Sequence, residues 1–244
     1  AKACILFDWS NWWAIDYAQT GQKGNMRYFD SVNMHYRALW EQGIAVDFRD
    51  MRPCTDLSQY WLVVAPMLFL MKEGFSQKLR AFVENGGTVI LCGQSDLGDL
   101  SGLHTSGELN RLLEAMGATV RLNDDTAWDE EGGDNTPDAV SANVFNPGGD
   151  LTKSLKPEQT YTQRAGCTVN PGNGTWLVKG RDTTHGVDAD GDGQDTGENA
   201  VLLACEELAN GGKVYVSGGL FLADDAMKLS LIHISEPTRH AQIS

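Results

Sequence analysis

Residues 75–92 read FSQKLRAFVENGGTVILC. Phe75, Leu79, Phe82 and Val83 recur at helical spacing, Asn85, Gly86 and Gly87 supply the stop, and Thr88 to Cys92 follows as a short apolar run. A strand with no polar alternation is buried on both faces, and strands of that kind are joined by helical crossovers because parallel neighbours cannot be linked by a tight turn. The stretch is therefore the second half of a β-α-β unit.

Upstream the same grammar repeats. Ala3 to Phe7 (ACILF), Ile44 to Phe48 and Tyr60 to Ala65 read as strands, the last ended by Pro66. Between the first two, Phe29, Val32, Tyr36, Leu39 and Trp40 predict a helix over 28–42, stopped by Gly43. Downstream, Thr105 and Glu108 have capping-box spacing, Leu109, Leu112, Leu113 and Met116 form a stripe, and Gly117 ends it before a strand at Ala118 to Leu122. Strands alternating with helices predict a doubly wound α/β domain on a mostly parallel sheet. After Leu122 the chain turns acidic and Gly-rich, as in NDDTAWDEEGGDNTPD and GVDADGDGQDTGEN. The short apolar pieces between these loops, VFN, TWLVKG, AVLLAC and GGKVYVSGGLFL, are expected to complete the same sheet, with Lys213 to Ser217 as its closing strand. One domain over 1–228 is expected, since no linker separates a second.

The formal charge of −14 over 244 residues excludes a nucleic-acid partner, which needs a basic surface to displace condensed counterions. No apolar run approaches the roughly 18 residues of a membrane span. Five cysteines (Cys4, Cys54, Cys92, Cys167, Cys205) lack CxxC spacing, so neither a disulfide framework nor a zinc site is expected, and they do not identify a compartment. The last residues, LSLIHISEPTRHAQIS from Leu229 to Ser244, share no period with the rest and look like the translation of a sequencing adapter. They are set apart as a non-native tail, which leads to the expectation of a fragment truncated at both ends.

Three segments, ILFDWSNWWAIDY (5–17), YRALWEQGIAVDF (36–48) and DLSQYWLVVAPM (56–67), resemble in order and content the trimerisation domain of the family 42 glycoside hydrolases, bacterial β-galactosidases. That resemblance implies a flavodoxin-like fold of the class I glutamine amidotransferase kind. It also implies a non-catalytic role, a catalytic barrel before Ala1, and homotrimeric assembly in which this domain holds protomers together. It is carried by residues 1–96. From about Val83 onward, FVENGGTVILCGQSD, ELNRLLEAMGATVRLNDD and GGKVYVSGGLFL are similar to amidotransferase-like accessory domains of secreted bacterial proteins. Residues 97–228 thus read as a divergent completion of the fold. The two likenesses point to different compartments, cytoplasmic for the first and extracellular for the second.

Four constellations bear on chemistry. Asp8, Trp9, Trp12 and Trp13 crowd the exit of the first strand, the end at which α/β sheets bind ligands, and suit either a subunit interface or stacking on a sugar. Core packing is the structural alternative. Asp188, Asp190 and Asp192, followed by Gly193, have the alternate carboxylates of an oxygen-rich Ca²⁺ loop, although Asn199 stands where a complete EF-hand needs Glu. Cys92 stands where class I amidotransferases place a nucleophile, but Ile90 replaces the first glycine of the strained elbow, and His104 and His185 are its only candidate partners. A buried structural thiol is the simpler reading. Glycoside cleavage needs two carboxyls across the scissile bond; Glu84, Glu108 and Glu114 belong to helices and Glu130 and Glu131 to a loop, so no catalytic residue is assigned.

Overall fold

The computed structural model describes residues 2–17, 28–66, 68, 70–98, 104–131, 136–191, 196–197 and 200–219. Its frame is an eight-stranded sheet built from β1 (Lys2–Leu6), β2 (Val46–Arg49), β3 (Tyr60–Val64), β4 (Thr88–Cys92), β8 (Val144–Phe145), β11 (Thr175–Lys179), β13 (Val201–Glu207) and β14 (Lys213–Ser217). The order across it is β2-β1-β3-β4-β14-β13-β11-β8. From β2 to β14 every neighbouring pair is parallel. The remaining pairs, β14 with β13, β13 with β11 and β11 with β8, are antiparallel. The fold is thus mixed α/β on a large, mostly parallel sheet. Four helices accompany it among the described residues, α1 (Trp9–Tyr17), α2 (Tyr28–Glu41), α3 (Phe75–Glu84) and α4 (Thr105–Ala115).

Alternation along the strands decides what each face meets. Cys4, Leu6, Val63, Val89, Leu91, Val214 and Val216 point to one face, where Phe75, Leu79 and Phe82 of α3 and Leu112, Leu113 and Met116 of α4 close the main core. On the other face, Ile5 and Val64 meet Ile15 of α1 with Tyr28 and Val32 of α2. Ile90, Cys92 and Tyr215 on that same face are covered instead by Val140, Ala142 and Tyr161. Those residues belong to β7 (Ala139–Ala142) and β9 (Tyr161–Arg164), a separate antiparallel ladder. Two further small ladders stand outside the main sheet: β5 (Arg121–Leu122) with β10 (Val169–Asn170), and β6 (Thr126–Trp128) with β12 (His185–Val187). The left-handed φ of +85° at Gly86 ends α3, and Gly212 lets the β13–β14 turn pass so close that a Cβ there would meet the Val83 carbonyl at 2.0 Å.

Several expectations need correction. The strand expected over Ala118 to Leu122 is reduced to Arg121–Leu122 and joins β10 rather than the sheet. The buried Glu206 carboxylate accepts the N–H groups of Thr119 (2.6 Å) and Val120 (2.8 Å), so the donors a longer strand would offer are already used. The α4 cap is His104 and not Thr105, which is the first helical residue. Trp9 to Tyr17 is helical, which the sequence reading left without an element. The tail 229–244 lies outside the described residues.

Candidate functional site: an aromatic face on the first two helices

Asp8 leaves the end of β1 and is buried. Its Oδ1 accepts the N–H groups of Ser10 (2.9 Å) and Asn11 (3.3 Å), which makes it the N-terminal cap of α1. Its Oδ2 accepts the Met51 N–H (3.2 Å) and lies 2.7 Å from Lys72 Nζ. One carboxylate therefore ties the β1–α1 turn to the segments that follow β2 and β3. Burial alone would raise this acid, but the Lys72 ammonium and the three N–H groups outweigh it and hold the carboxyl below its usual range. Asn11 adds a second tie by accepting the Leu70 N–H at 2.8 Å. Asp8 is thus a positioning residue, both oxygens being engaged within the fold.

What it positions is a run of rings. Phe7 stacks on Tyr28 at 5.6 Å and meets Trp9 and Trp12 edge-on at 5.4 and 5.9 Å. Trp12, half-buried, is stacked between Trp9 (5.2 Å) and Phe29 (5.8 Å), and Trp13 leans on Trp9 at 6.4 Å. The run continues down α2, where Tyr36 packs on Phe48 of the edge strand β2 at 5.6 Å. The expected stripe on α2 is consequently split. Tyr28 and Val32 enter the core, whereas Phe29 and Trp40 face solvent, Trp40 at 64% exposure. Trp9 and Trp13 are 57% and 58% exposed, too open for the core-packing alternative. Rings packed on one another yet left in water form a contiguous apolar surface, the kind of feature that marks an interaction site.

The other candidates resolve differently. Asp188 and Asp190 converge with the buried Asp96, a residue the sequence reading did not single out; the three carboxylates lie within 4.8 Å of one another. Asp96 Oδ2 accepts the Ala189 N–H at 2.8 Å, which pins the acidic loop to the end of β4. Asp192 lies outside the described residues. Cys92 sits half-buried at the end of β4, in register with Ser217. His104 Nδ1 lies 2.7 Å from Asp124, and His185 Nδ1 meets the Thr183 carbonyl at 3.0 Å. Burial pushes the thiols of Cys4 and Cys205 up to about 12 and about 11, so neither is a ready nucleophile.

A mixed α/β sheet domain whose first two helices carry an exposed aromatic face is in class an assembly or accessory domain. The family model described as the β-galactosidase trimerisation domain matches residues 1–133, and the chain belongs to that family. A β-galactosidase of Geobacillus sp. (strain Y412MC61) is 40% identical over 121 residues, 49% of this chain and 18% of that protein. Another, from Bacillus subtilis (strain 168), is 34% identical over 131 residues, 54% and 19% of the two chains. The chain thus spans under a fifth of these relatives. In three dimensions it is similar to the β-galactosidase of Rahnella sp. R3, with a TM-score of 0.60 and 26% identity over 90% of this chain and 28% of that one. The N-terminal domain of mmIFT52 shares the fold alone, at a TM-score of 0.59 and 15% identity over 93% of this chain and 91% of that one.

Proposed function

We propose that this domain joins protomers of a family 42 β-galactosidase into a homotrimer, while a catalytic barrel upstream of Ala1 cleaves β-galactosides. The observation that carries the reading is the aromatic face of Trp9, Trp13, Phe29, Trp40 and Phe48, exposed on elements that are otherwise well packed. A helix apolar on two sides belongs in something larger than its own domain, and α2 turns Tyr28 and Val32 inward while presenting Phe29 and Trp40 outward. Tryptophan is also the residue most enriched where subunits bury energy. Helices on both faces of the parallel strands support the doubly wound, amidotransferase-like description, with residues 1–228 forming one domain. Light scattering on the 244-residue chain after size exclusion is expected to give three times 26.6 kDa, about 80 kDa. A monomer at all concentrations rejects the reading for this chain.

A second reading, a scaffold stiffened by Ca²⁺, is favoured by one observation, the convergence of Asp188 and Asp190 on Asp96. Oxygen-only ligand sets of this kind suit a hard divalent cation. Ca²⁺ is then expected to raise the melting temperature and Asp190→Ala to remove the effect; an unchanged melting temperature on adding Ca²⁺ rejects it.

A further inference from the structure

Four residues of α2 are buried, Tyr28, Ser31, Val32 and His35, and their spacing of three and four puts them on one face of the helix. His35 Nδ1 lies 2.7 Å from the Ser31 carbonyl one turn back, and only a protonated ring nitrogen can meet a carbonyl oxygen. The neutral ring therefore keeps its proton on Nδ1, and a second proton has to go to Nε2. The elements packed against this face supply no counter-ion for it. β1 turns Ile5 towards α2, β2 turns Val46, β3 turns Val64 and α1 turns Ile15. Lys2, Asp47 and Arg49 gather around Tyr60 on the opposite face of the sheet. Asp16 is exposed on α1, and on α2 itself Arg37 pairs with Glu41 in solvent. Asp30 stands five residues from His35, on another side of the helix, and Tyr28, whose hydroxyl accepts the Asp8 N–H, is two turns away, about 10 Å. Among the described residues the buried Ser31 Oγ has no hydrogen-bond partner, so this part of the interior has no acceptor to spare for an imidazolium N–H.

We propose that His35 makes the seat of α2 sensitive to pH: a proton taken up on Nε2 puts an unpaired imidazolium on the inner face, and the helix lifts from β1 and β2 to bring the charge to water. Phe29 and Trp40 project into solvent from the same helix, so proton uptake on the inside is relayed to the exposed aromatic face. The seat of α2 responds to acid whether or not a second protomer covers those rings. Burial is the larger influence on the imidazole and holds its pKa below the usual 6.5, against the Ser31 carbonyl, which raises it. The folded chain then binds fewer protons than the unfolded one. Stability at this seat is therefore full above about pH 6.5 and is lost as pH falls from there towards the folded value. That window is separate from the titration of Asp8, which is held below 3.8.

Hydrogen exchange followed by mass spectrometry on the full 244-residue chain, between pH 7.5 and pH 5, tests this. Protection of residues 28–41 is compared with that of residues 75–84, the α3 helix, which has no histidine and corrects for the intrinsic pH dependence of exchange. The ratio of α2 to α3 protection is expected to fall with acid, by up to about tenfold for each pH unit inside the window, the slope that one proton gives. His35→Gln keeps a donor for the Ser31 carbonyl and does not titrate in this range, so it should hold the ratio constant. A wild-type ratio that does not change with pH overturns the proposal. An equal fall in the His35→Gln variant does so too, because the proton then goes to His104, His185 or another group. Should His35→Gln fail to fold, His35→Leu replaces it with the same expected result. NMR titration of the wild-type His35 ring needs no variant: a midpoint below 6.5 is expected, and a midpoint at or above it overturns the proposal.

Discussion

From β2 to β14 the sheet is parallel and held by apolar side chains, with α3 and α4 on one face and α1 and α2 over β1 and β3 on the other; from β14 to β8 it is antiparallel, and there loops and small ladders supply the cover. The first region is stabilised as any helix-covered sheet is, by area taken out of water. The second is stitched by buried acids. Asp125 accepts from the Thr168 N–H at 2.7 Å, the Thr168 hydroxyl and the Thr196 hydroxyl. Asp129 accepts from Thr183 (2.9 Å) and Thr184 (2.8 Å), and Glu206 from the Thr119 and Val120 backbone. Loops without regular ladders leave backbone donors to satisfy, and a carboxylate satisfies several at once. The difference shows how a chain rich in Asp and Gly can still build a fixed layer over half a sheet.

The largest effects should break the two regions by different means. Phe75→Ala removes a fully buried ring from the α3 side of the core and is expected to cost about 3–5 kcal/mol in chemical denaturation. Asp125→Ala removes little apolar area but strands three donors, at about 1–3 kcal/mol for the first and less for those that find water. The sharper comparison is the double change Asp125→Val with Thr168→Val, which deletes both sides of the main pair and should recover part of the loss. No corresponding recovery is expected in the apolar region, where Phe75→Ala leaves a cavity. If the double variant is as unstable as the sum of the singles, the acids do not act as hydrogen-bond acceptors for the loop layer.

Acid should move the two regions in opposite directions. The folded-state pKa of Asp8 is depressed, because the Lys72 ammonium and three N–H groups overcome its burial; its contribution is present above the unfolded value near 3.8 and is lost as pH falls below it. Asp125 is raised, first by burial and further by the nearby Asp96, against the bonds from Thr168 and Thr196. A raised carboxyl binds more protons folded than unfolded, so its contribution grows as pH falls through its folded value and diminishes as pH rises. Denaturation between pH 3 and pH 6 should therefore show Asp8→Asn flattening the acid loss and Asp125→Asn steepening it. Slopes that change in the same direction for both variants would remove the contrast.

The parallel region was the legible one. Helical spacing from Phe75 to Val83, the Gly86 stop and the apolar run of β4 each follow from local periodicity, and the observed elements match them within a residue or two. The α1 helix is not legible because WSNWWAIDY lacks an amphipathic stripe; what forms it is the local Asp8 cap together with the stacking of its rings on Phe7 and Phe29, and Phe29 comes from a distant part of the sequence. Asp125 and Asp129 lie in a stretch that reads as acidic, Gly-rich loop. Asp125 and Asp129 look like any acidic turn until Thr168, Thr183, Thr184 and Thr196 arrive from more than 40 residues away. The Trp cluster was recognised as a candidate surface, but its extension along α2 to Trp40 was not. A stripe of five apolar residues reads as a single buried face until the sheet shows which part of the helix it covers.

The smallest predicted change sits where the two regions meet. Ala165 holds a φ of +47°, in the left-handed region that costs an L-residue about 1–2 kcal/mol. The turn is fixed from both sides: the Ala165 N–H donates to the Asp138 carbonyl at 3.0 Å, and its own carbonyl accepts the Ser95 N–H, at the exit of β4, at 2.9 Å. Those two bonds hold the loop layer to the parallel region, and the backbone conformation is strained to make both. Ala165→Gly relieves the strain but widens the unfolded ensemble, so the net gain should be no more than about 1 kcal/mol, a rise of about 2–4 °C in melting temperature for a chain of this size. A fall instead would mean that the alanine methyl packs usefully in this turn. The seam between the regions would then be held by burial, as the parallel side is, rather than by the hydrogen bonds that characterise the other.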